Sequence, residues 1–398
     1  MSALQSHRQF CKAFVIILEL CAVNNGFVNA AKEYIEVNSK SLQAVDLSSS
    51  RRSGFLESRT WSRQNHTLLP HFYRSGDRII EELSKLVSDE KCGVPSTATW
   101  EEDAVNPDRK LFVIRLGSDT ARKRVMLVAN THAREAVTAE VAADFVQWAC
   151  AGSEDAKQLF ADIGVTVLPI LNLGGRRRID NGRNPCQRAT VDEGEGEIDL
   201  NRNMDVDFEA SEGHGPRPFS TYQTRVLRSL AEKEKPLAYV DLHSGYNSLM
   251  VPWGSREYTT PDFPAQRRLL DEVSSKSCPK CEIGSNCKVI GYRNPGEIMD
   301  HMYQVAGIKY STLWEIYQGN ENGSCIDYFN PTTRDVFHST VGRWTQAVKS
   351  VAHYVRDNVG ISERSIVYNG ANGTVLAELV QGHRPTPTRD SQSFFLTT

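Results

Sequence analysis

Short runs of consecutive apolar residues alternate along the chain with segments in which apolar positions recur every three or four residues. The runs at 110–116, 124–129, 164–171, 237–242 and 310–317 predict strands buried on both faces. Between them, periodic segments at 73–88 (through Ile79, Ile80, Leu83 and Leu86), 136–150, 218–234, 263–276, 295–305 and 336–357 predict helices. This alternation predicts an α/β fold: a single domain over residues 68–359, with a mixed, largely parallel twisted sheet flanked by helices. Outside those limits the pattern lapses. Residues 31–67 are polar, Ser-rich and aperiodic, which reads as a disordered prosegment or linker, and residues 360–398 read as a C-terminal tail. Residues 1–30 read as a signal peptide: His7, Arg8 and Lys12 precede the apolar run Ala13 to Val23, and Val28-Asn29-Ala30 offers small residues for cleavage. Glu19 interrupts that run, and a short buried helix is the competing reading.

Charge and cysteine content narrow the class. With 46 Lys and Arg against 49 Asp and Glu, the net charge of −3 argues against nucleic-acid binding carried by bulk charge. No run approaches the ~20 apolar residues of a membrane-spanning helix, so the mature protein is expected to be exported and free of the membrane; a monomer is expected. Of nine cysteines, Cys11 and Cys21 would leave with the signal. Cys92, Cys150, Cys186, Cys278, Cys281, Cys287 and Cys325 remain, enough for three disulfides and one thiol in an oxidising compartment. Cys278, Cys281 and Cys287 lie in a turn-rich segment without a fourth metal ligand at suitable spacing, which favours a stapled loop over a zinc knuckle. Sequons at Asn65, Asn322 and Asn372 fit a glycosylating secretory route.

In a largely parallel sheet, function gathers just past the carboxyl ends of the strands. The run 124–129 ends in Asn130-Thr131-His132-Ala133-Arg134-Glu135, where His132 and Glu135 can converge on one cation as the chain turns into a helix. Taken alone, the spacing fits surface hydrogen bonds or a helix cap better than a metal site. The strand at 237–242 runs into His243, a third candidate donor. Two His and one Glu form the set found in catalytic zinc hydrolases, where water takes the fourth position. In Asp199-Leu200-Asn201-Arg202-Asn203, an Arg flanked by Asn suits a carboxylate, because the guanidinium forks onto two oxygens while an amide donates alongside. The last strand places Glu315 among apolar neighbours, where a carboxylate is usually paired or catalytic.

Taken in order, His132-Ala133-Arg134-Glu135, Asp199 to Asn203, His243-Ser244, and Gly307-Ile308-Lys309-Tyr310-Ser311 through Glu315 resemble the motifs of zinc metallocarboxypeptidases of the carboxypeptidase A type. The resemblance covers about residues 68–357, and Asp327-Tyr328-Phe329-Asn330-Pro331 looks most like a branch found in plants and protists. It implies the zinc exopeptidase fold and one zinc per chain held by His132, Glu135 and His243, with Asp199 orienting His132. It makes Glu315 the general base. Arg188 becomes the arginine that polarises the scissile carbonyl, with Arg183 as competitor; Asn201 and Arg202 hold the substrate's C-terminal carboxylate and Tyr292 closes over it. Met299, seven residues after Tyr292, falls at the base of the specificity pocket and implies apolar or aromatic C-terminal residues, whereas a shift of one position would put Asp300 there. The implied partners are peptide or protein C-termini. An amidase or deacylase of small acylated amino acids, or a secreted binding module with a dead site, are the alternatives.

Overall fold

The computed structural model describes residues 68–88, 91–191 and 196–364. The segments read as signal, prosegment and most of the tail lie outside these residues, as do Cys11, Cys21, Asn65 and Asn372. Eight strands form one sheet: β1 Ser96–Glu102, β2 Lys110–Leu116, β3 Lys123–Ala129, β4 Ile163–Leu168, β5 Ala238–His243, β6 Tyr246–Val251, β7 Glu282–Ser285 and β8 Tyr310–Tyr317. Their order is β1-β2-β4-β3-β5-β8-β6-β7. The middle four, β4-β3-β5-β8, are parallel, while β1, β2 and β6 join antiparallel.

Alternation along β3 shows how the sheet divides the core. Val125, Leu127 and Ala129 face the helices Ala136–Cys150 and Arg334–Asn358, whereas Met126 and Val128 face Tyr222–Glu234 and Ile298–Gln304. Both faces are covered, as a parallel sheet requires. From β3 the chain moves outward to β4 and then returns to the other side of β3 to lay down β5. The crevice beyond the carboxyl ends of β3 and β5 is therefore a topological switch point, the usual place for a ligand in an open α/β sheet.

Several boundaries differ from those the pattern predicts. The strand expected over 164–171 ends at Leu168, because Pro169 has no N–H for the ladder and Leu171 instead donates to Ala129 O at 3.0 Å. The helix expected from 295 begins at Ile298. Gly296 ahead of it has φ +73°, and a Cβ there would lie 2.3 Å from Arg202 O, so this residue lets the backbone wrap tightly around the Arg202 turn. Contacts also continue past Val359: Glu363 pairs with Lys309 at 3.0 Å, and Arg364 donates to the carbonyls of Lys235 and Pro236.

Disulfides join Cys92 to Cys150, Cys186 to Cys325 and Cys278 to Cys281, leaving Cys287 as a buried thiol. Cys278 and Cys281 thus staple a loop, as their setting predicts. The Cys186–Cys325 bridge fastens the loop that carries Arg188 to the segment following β8.

Candidate active site

The turn after β3 is held in shape by Asn130. Its φ of +54° lies in the left-handed region, which Asn tolerates better than most residues. From there its side-chain amide donates to the carbonyls of His132, Ala133 and Glu135. This brings His132 Nδ1 within 2.8 Å of Glu135 Oε1. At the end of β5, His243 Nδ1 stands 3.0 Å from His132 Nδ1 and 3.1 Å from Glu135 Oε2. All three side chains are buried, and their donor atoms lie within 4.8 Å of one another.

Each imidazole has a carboxylate behind it. Asp199 Oδ1 is 3.1 Å from His132 Nε2, and Asp241 Oδ1 is 3.2 Å from His243 Nε2. A carboxylate at Nε2 selects the tautomer with the proton there and leaves the Nδ1 lone pair bare. Two Nδ1 lone pairs and a carboxylate face one another inside the protein, with Arg188 Nη1 near His132 Nδ1 and the Ser244 N–H on Glu135 Oε2, and make a set of acceptors that a cation completes. The surroundings favour positive charge at this point: burial opposes charge on His243, yet Asp241 and Glu135 outweigh it and hold the imidazole well above its ordinary pKa. Borderline nitrogen and carboxylate donors with a carboxylate behind each histidine fit zinc.

Asp241 escaped the sequence reading. It lies two residues before His243 and so on the same face of β5, a relation that strand alternation makes visible. The hydroxyls of Thr131 and Tyr239 donate to it at 2.9 and 3.0 Å.

Glu315 sits on β8 beside His243, its partner in the parallel register, with Ser248 of β6 on the other side. Its Oε2 is buried without a hydrogen bond. Burial first, and the Glu135 carboxylate second, push its carboxyl up to about 7, while His243 and Arg188 pull the other way.

Arg188 stands at the cluster: Nε donates to Asp199 Oδ2 at 2.8 Å, and Nη1 lies 3.3 Å from His132 Nδ1. Burial works against its charge, but Asp199 and Glu135 outweigh burial and hold its pKa above the ordinary value, an effect to which the Tyr292 phenol adds. The Arg188 carbonyl accepts from Ala133 N–H and from the Asn172 side chain, which ties this loop to the His132 turn. Arg183 is solvent-exposed.

Arg202 and Asn201 occupy a short 3-10 turn, Leu200–Arg202, capped by Asp199. The buried guanidinium of Arg202 donates to Asn201 O at 2.7 Å and to Asn294 Oδ1 at 2.6 Å. Asn201 accepts from Ile298 N–H and donates one amide hydrogen to Glu297. Met299 is fully buried with Met250 and Leu313, and Val289 and Ile290 pack on them. Asp300 is saturated by the N–H groups of Gly254 and Ser255 and by the Ser255 hydroxyl.

A mixed sheet with a His-Glu-His acceptor cluster at its switch point defines the class of α/β proteins built around a metal-competent centre. The family model described as zinc carboxypeptidase matches residues 106–343, and the chain belongs to that family. It is accordingly a peptidase, a hydrolase acting on peptide C-termini. Mast cell carboxypeptidase A of Mus musculus is 25% identical over 313 residues, which cover 71% of this chain and 69% of the relative. Among solved structures, the carboxypeptidase A from Helicoverpa armigera superposes with a TM-score of 0.62 at 18% identity, covering 82% of this chain and 81% of the other. Bovine thrombin-activatable fibrinolysis inhibitor, in complex with tick carboxypeptidase inhibitor, gives a TM-score of 0.60 at 19% identity over 72% of this chain and 98% of its own. These superpositions establish the carboxypeptidase fold.

Proposed function

We propose that this chain is a secreted, monomeric metallocarboxypeptidase that holds one zinc ion through His132, Glu135 and His243 and hydrolyses the last peptide bond of its substrate. The acceptor-only cluster of the two Nδ1 atoms and the Glu135 carboxylate carries this reading. Zinc held there supplies a Lewis acid for the scissile carbonyl and makes water acidic enough to attack near neutral pH.

The chain's own residues do the rest. Glu315 removes the proton from the attacking water and hands it on to the leaving amine, which requires a carboxyl ionised at the working pH. Arg188, fixed by Asp199, holds the carbonyl oxygen as negative charge develops on it. Asn201, with one amide hydrogen still free, binds the terminal carboxylate together with Arg202 while Tyr292 covers it. That anchoring brings only the final peptide bond to the metal. Three disulfides, the exposed sequon at Asn322 and the N-terminal signal pattern support secretion. No helix among the described residues is long and apolar enough to cross a membrane.

One side chain bears on which residue is removed: Met299, uncharged and packed with Met250 and Leu313, favours an apolar or aromatic C-terminal residue.

The reading is tested by metal analysis of the purified protein together with turnover of blocked dipeptides carrying either a free or an amidated C-terminus. One zinc per chain and cleavage of the free acid alone are expected. Equal cleavage of the amide would point to an amidase, and zinc without turnover to a binding module. Arg188→Ala should lower kcat more than it raises KM, because the charge it meets arises mainly in the transition state. An effect confined to KM would move Arg188 to ground-state binding.

A further inference from the structure

The segment after β8 contains the short helix Cys325–Phe329, part of the run Asp327-Tyr328-Phe329-Asn330-Pro331 that no step of the proposed hydrolysis uses. A capping box closes its start: the Ser324 hydroxyl accepts from the Asp327 N–H, and the Asp327 carboxylate accepts from the Ser324 N–H. So short a helix has few bonds of its own, and ties to its surroundings fix it. Asn330 Oδ1 accepts from Val137 N–H at 3.0 Å and its amide donates to Arg134 O at 2.8 Å, one contact on each side of Glu135. The Ser244 hydroxyl, next to His243, donates to Phe329 O at 2.7 Å. Cys325 is bridged to Cys186, two residues before Arg188. One short helix thus reaches the turn that carries Glu135, the end of β5 and the arginine loop.

The arginine loop depends on its tie more than the other two do. His132, Glu135 and His243 stand at or just past the ends of β3 and β5, which pair with each other in the ladder. Arg188 lies instead on the connection between the helix Leu173–Asp180 and the Leu200–Arg202 turn. That connection opens with Gly182 at φ +65°, a ready pivot, and is shaped largely from within: the Asn184 side chain accepts from the Cys186 N–H and donates to the Gln187 side chain. The Arg188 carbonyl is held by Ala133 N–H and the Asn172 amide, both at 3.2 Å. A single anchor there would let the backbone turn about it. The bridge adds a second anchor two residues earlier, packed against Tyr328 and Phe329, and two anchors fix the direction in which the Arg188 side chain leaves the backbone.

We propose that Cys186 and Cys325 are positioning residues for Arg188 in the carboxypeptidase reading above, on which the assignment rests: their disulfide aims the guanidinium, so that turnover depends on the bridge while substrate anchoring does not. Arg188 meets charge that develops in the transition state, and a misplacement of about 1 Å in such a group costs on the order of 10²-fold. Asn201 and Arg202 sit on their own turn, tied to Ile298 N–H and Asn294, and stay in place when the bridge is cut. The bond forms when two thiols pass two electrons and two protons to a disulfide oxidant. A chain that is still reduced would therefore bind substrate and turn it over poorly, gaining its rate only in an oxidising compartment.

The test separates aim from folding. Full-length, zinc-loaded Cys186→Ser/Cys325→Ser protein is compared with the parent on the blocked dipeptide that the parent cleaves fastest. The variant should keep its zinc and hold KM within about twofold, while kcat falls by about tenfold or more. In an Arg188→Ala background the same pair of substitutions should cost less than about twofold further, since the group it aims is gone. An unchanged kcat, or an equal loss in both backgrounds, overturns the proposal. Where the serine variant does not fold, folded parent is titrated with tris(2-carboxyethyl)phosphine, which takes up the oxygen of water as each disulfide becomes two thiols. Samples are assayed and then alkylated to map the freed cysteines; kcat should fall in step with the reduction of Cys186, and full reduction of Cys186 at constant kcat overturns the proposal. Zinc-free protein gives a readout independent of hydrolysis: by NMR, the Arg188 Nε–H, held on Asp199, should exchange with water at least about tenfold faster once the bridge is cut. Parent that cleaves no peptide would sink the carboxypeptidase reading, and this exchange rate, faster or unchanged, would then decide the positioning claim by itself.

Discussion

Glu315→Gln is expected to retain zinc and peptide binding while losing kcat by a factor of roughly 10² or more, the scale for an essential acid–base group. Glutamine matches the glutamate in size but cannot take a proton from water. The pH profile gives an independent check. Glu315 must be ionised to act, so kcat/KM rises with pH through its pKa. Burial and Glu135 push that value up to about 7, whereas His243 and Arg188 oppose them, and a bound dication adds to the lowering side. The rising limb should therefore lie below pH 7 in the zinc enzyme, move to higher pH in Arg188→Ala, and vanish from whatever residual activity Glu315→Gln retains. A Gln variant with near-parent kcat and an unchanged limb would assign the base to another group.

The second large effect is expected at His243. His243→Ala should reduce bound zinc to trace levels and remove the several kcal/mol that a Lewis acid contributes, roughly a thousandfold for each 4 kcal/mol. It should also destabilise the fold. Without the imidazole, the fully buried Asp241 keeps only the Thr131 and Tyr239 hydroxyls, a loss of up to about 3 kcal/mol that a urea titration would read. Asp241→Asn preserves the ligand and loosens its support, so zinc affinity should fall by only about 10–100-fold. Normal zinc content in His243→Ala would exclude His243 as a ligand.

The parts of the fold that were legible in the sequence are those where burial writes a strong pattern. β3, β5 and β8 are nearly continuous apolar runs, and each of their carboxyl ends announces a polar residue that the structure brings into the cleft. β1, β6 and β7 were not legible. β1 and β7 form the two edges, one alternating partly and fully exposed residues through Ser-Thr-Ala-Thr-Trp-Glu-Glu and the other only four residues long, while the apolar run of β6 is cut short by Asn247 and Ser248. The helix Leu173–Asp180 has no apolar period and carries two glycines and three arginines; tertiary contacts override propensity there, through the Asn172 cap and the buried Arg176, which binds Asp180 and Arg74 O. At the site, His132, Glu135 and His243 stood out because such residues are conspicuous at strand ends, and Asp199 through its place in the run Asp199-Leu200-Asn201-Arg202-Asn203. Asp241 did not, since an acid inside a buried strand looks like any other charge until its partners are known.

β5 and β8 lie side by side with His243 and Glu315 at the same level of the ladder. Adjacent strands in a sheet are about 4.8 Å apart, so the gap between the proposed base and a proposed ligand is inherited from backbone geometry rather than from side-chain packing. Of the groups proposed to recognise the substrate, Asn201 and Arg202 sit instead on a short 3-10 turn and Tyr292 on a connecting segment. Chemistry and recognition are thereby separately heritable: loops can be exchanged, lengthened or retuned to suit a new peptide while the hydrolytic distance stays constant, which makes this framework a natural recipient for grafted selectivity.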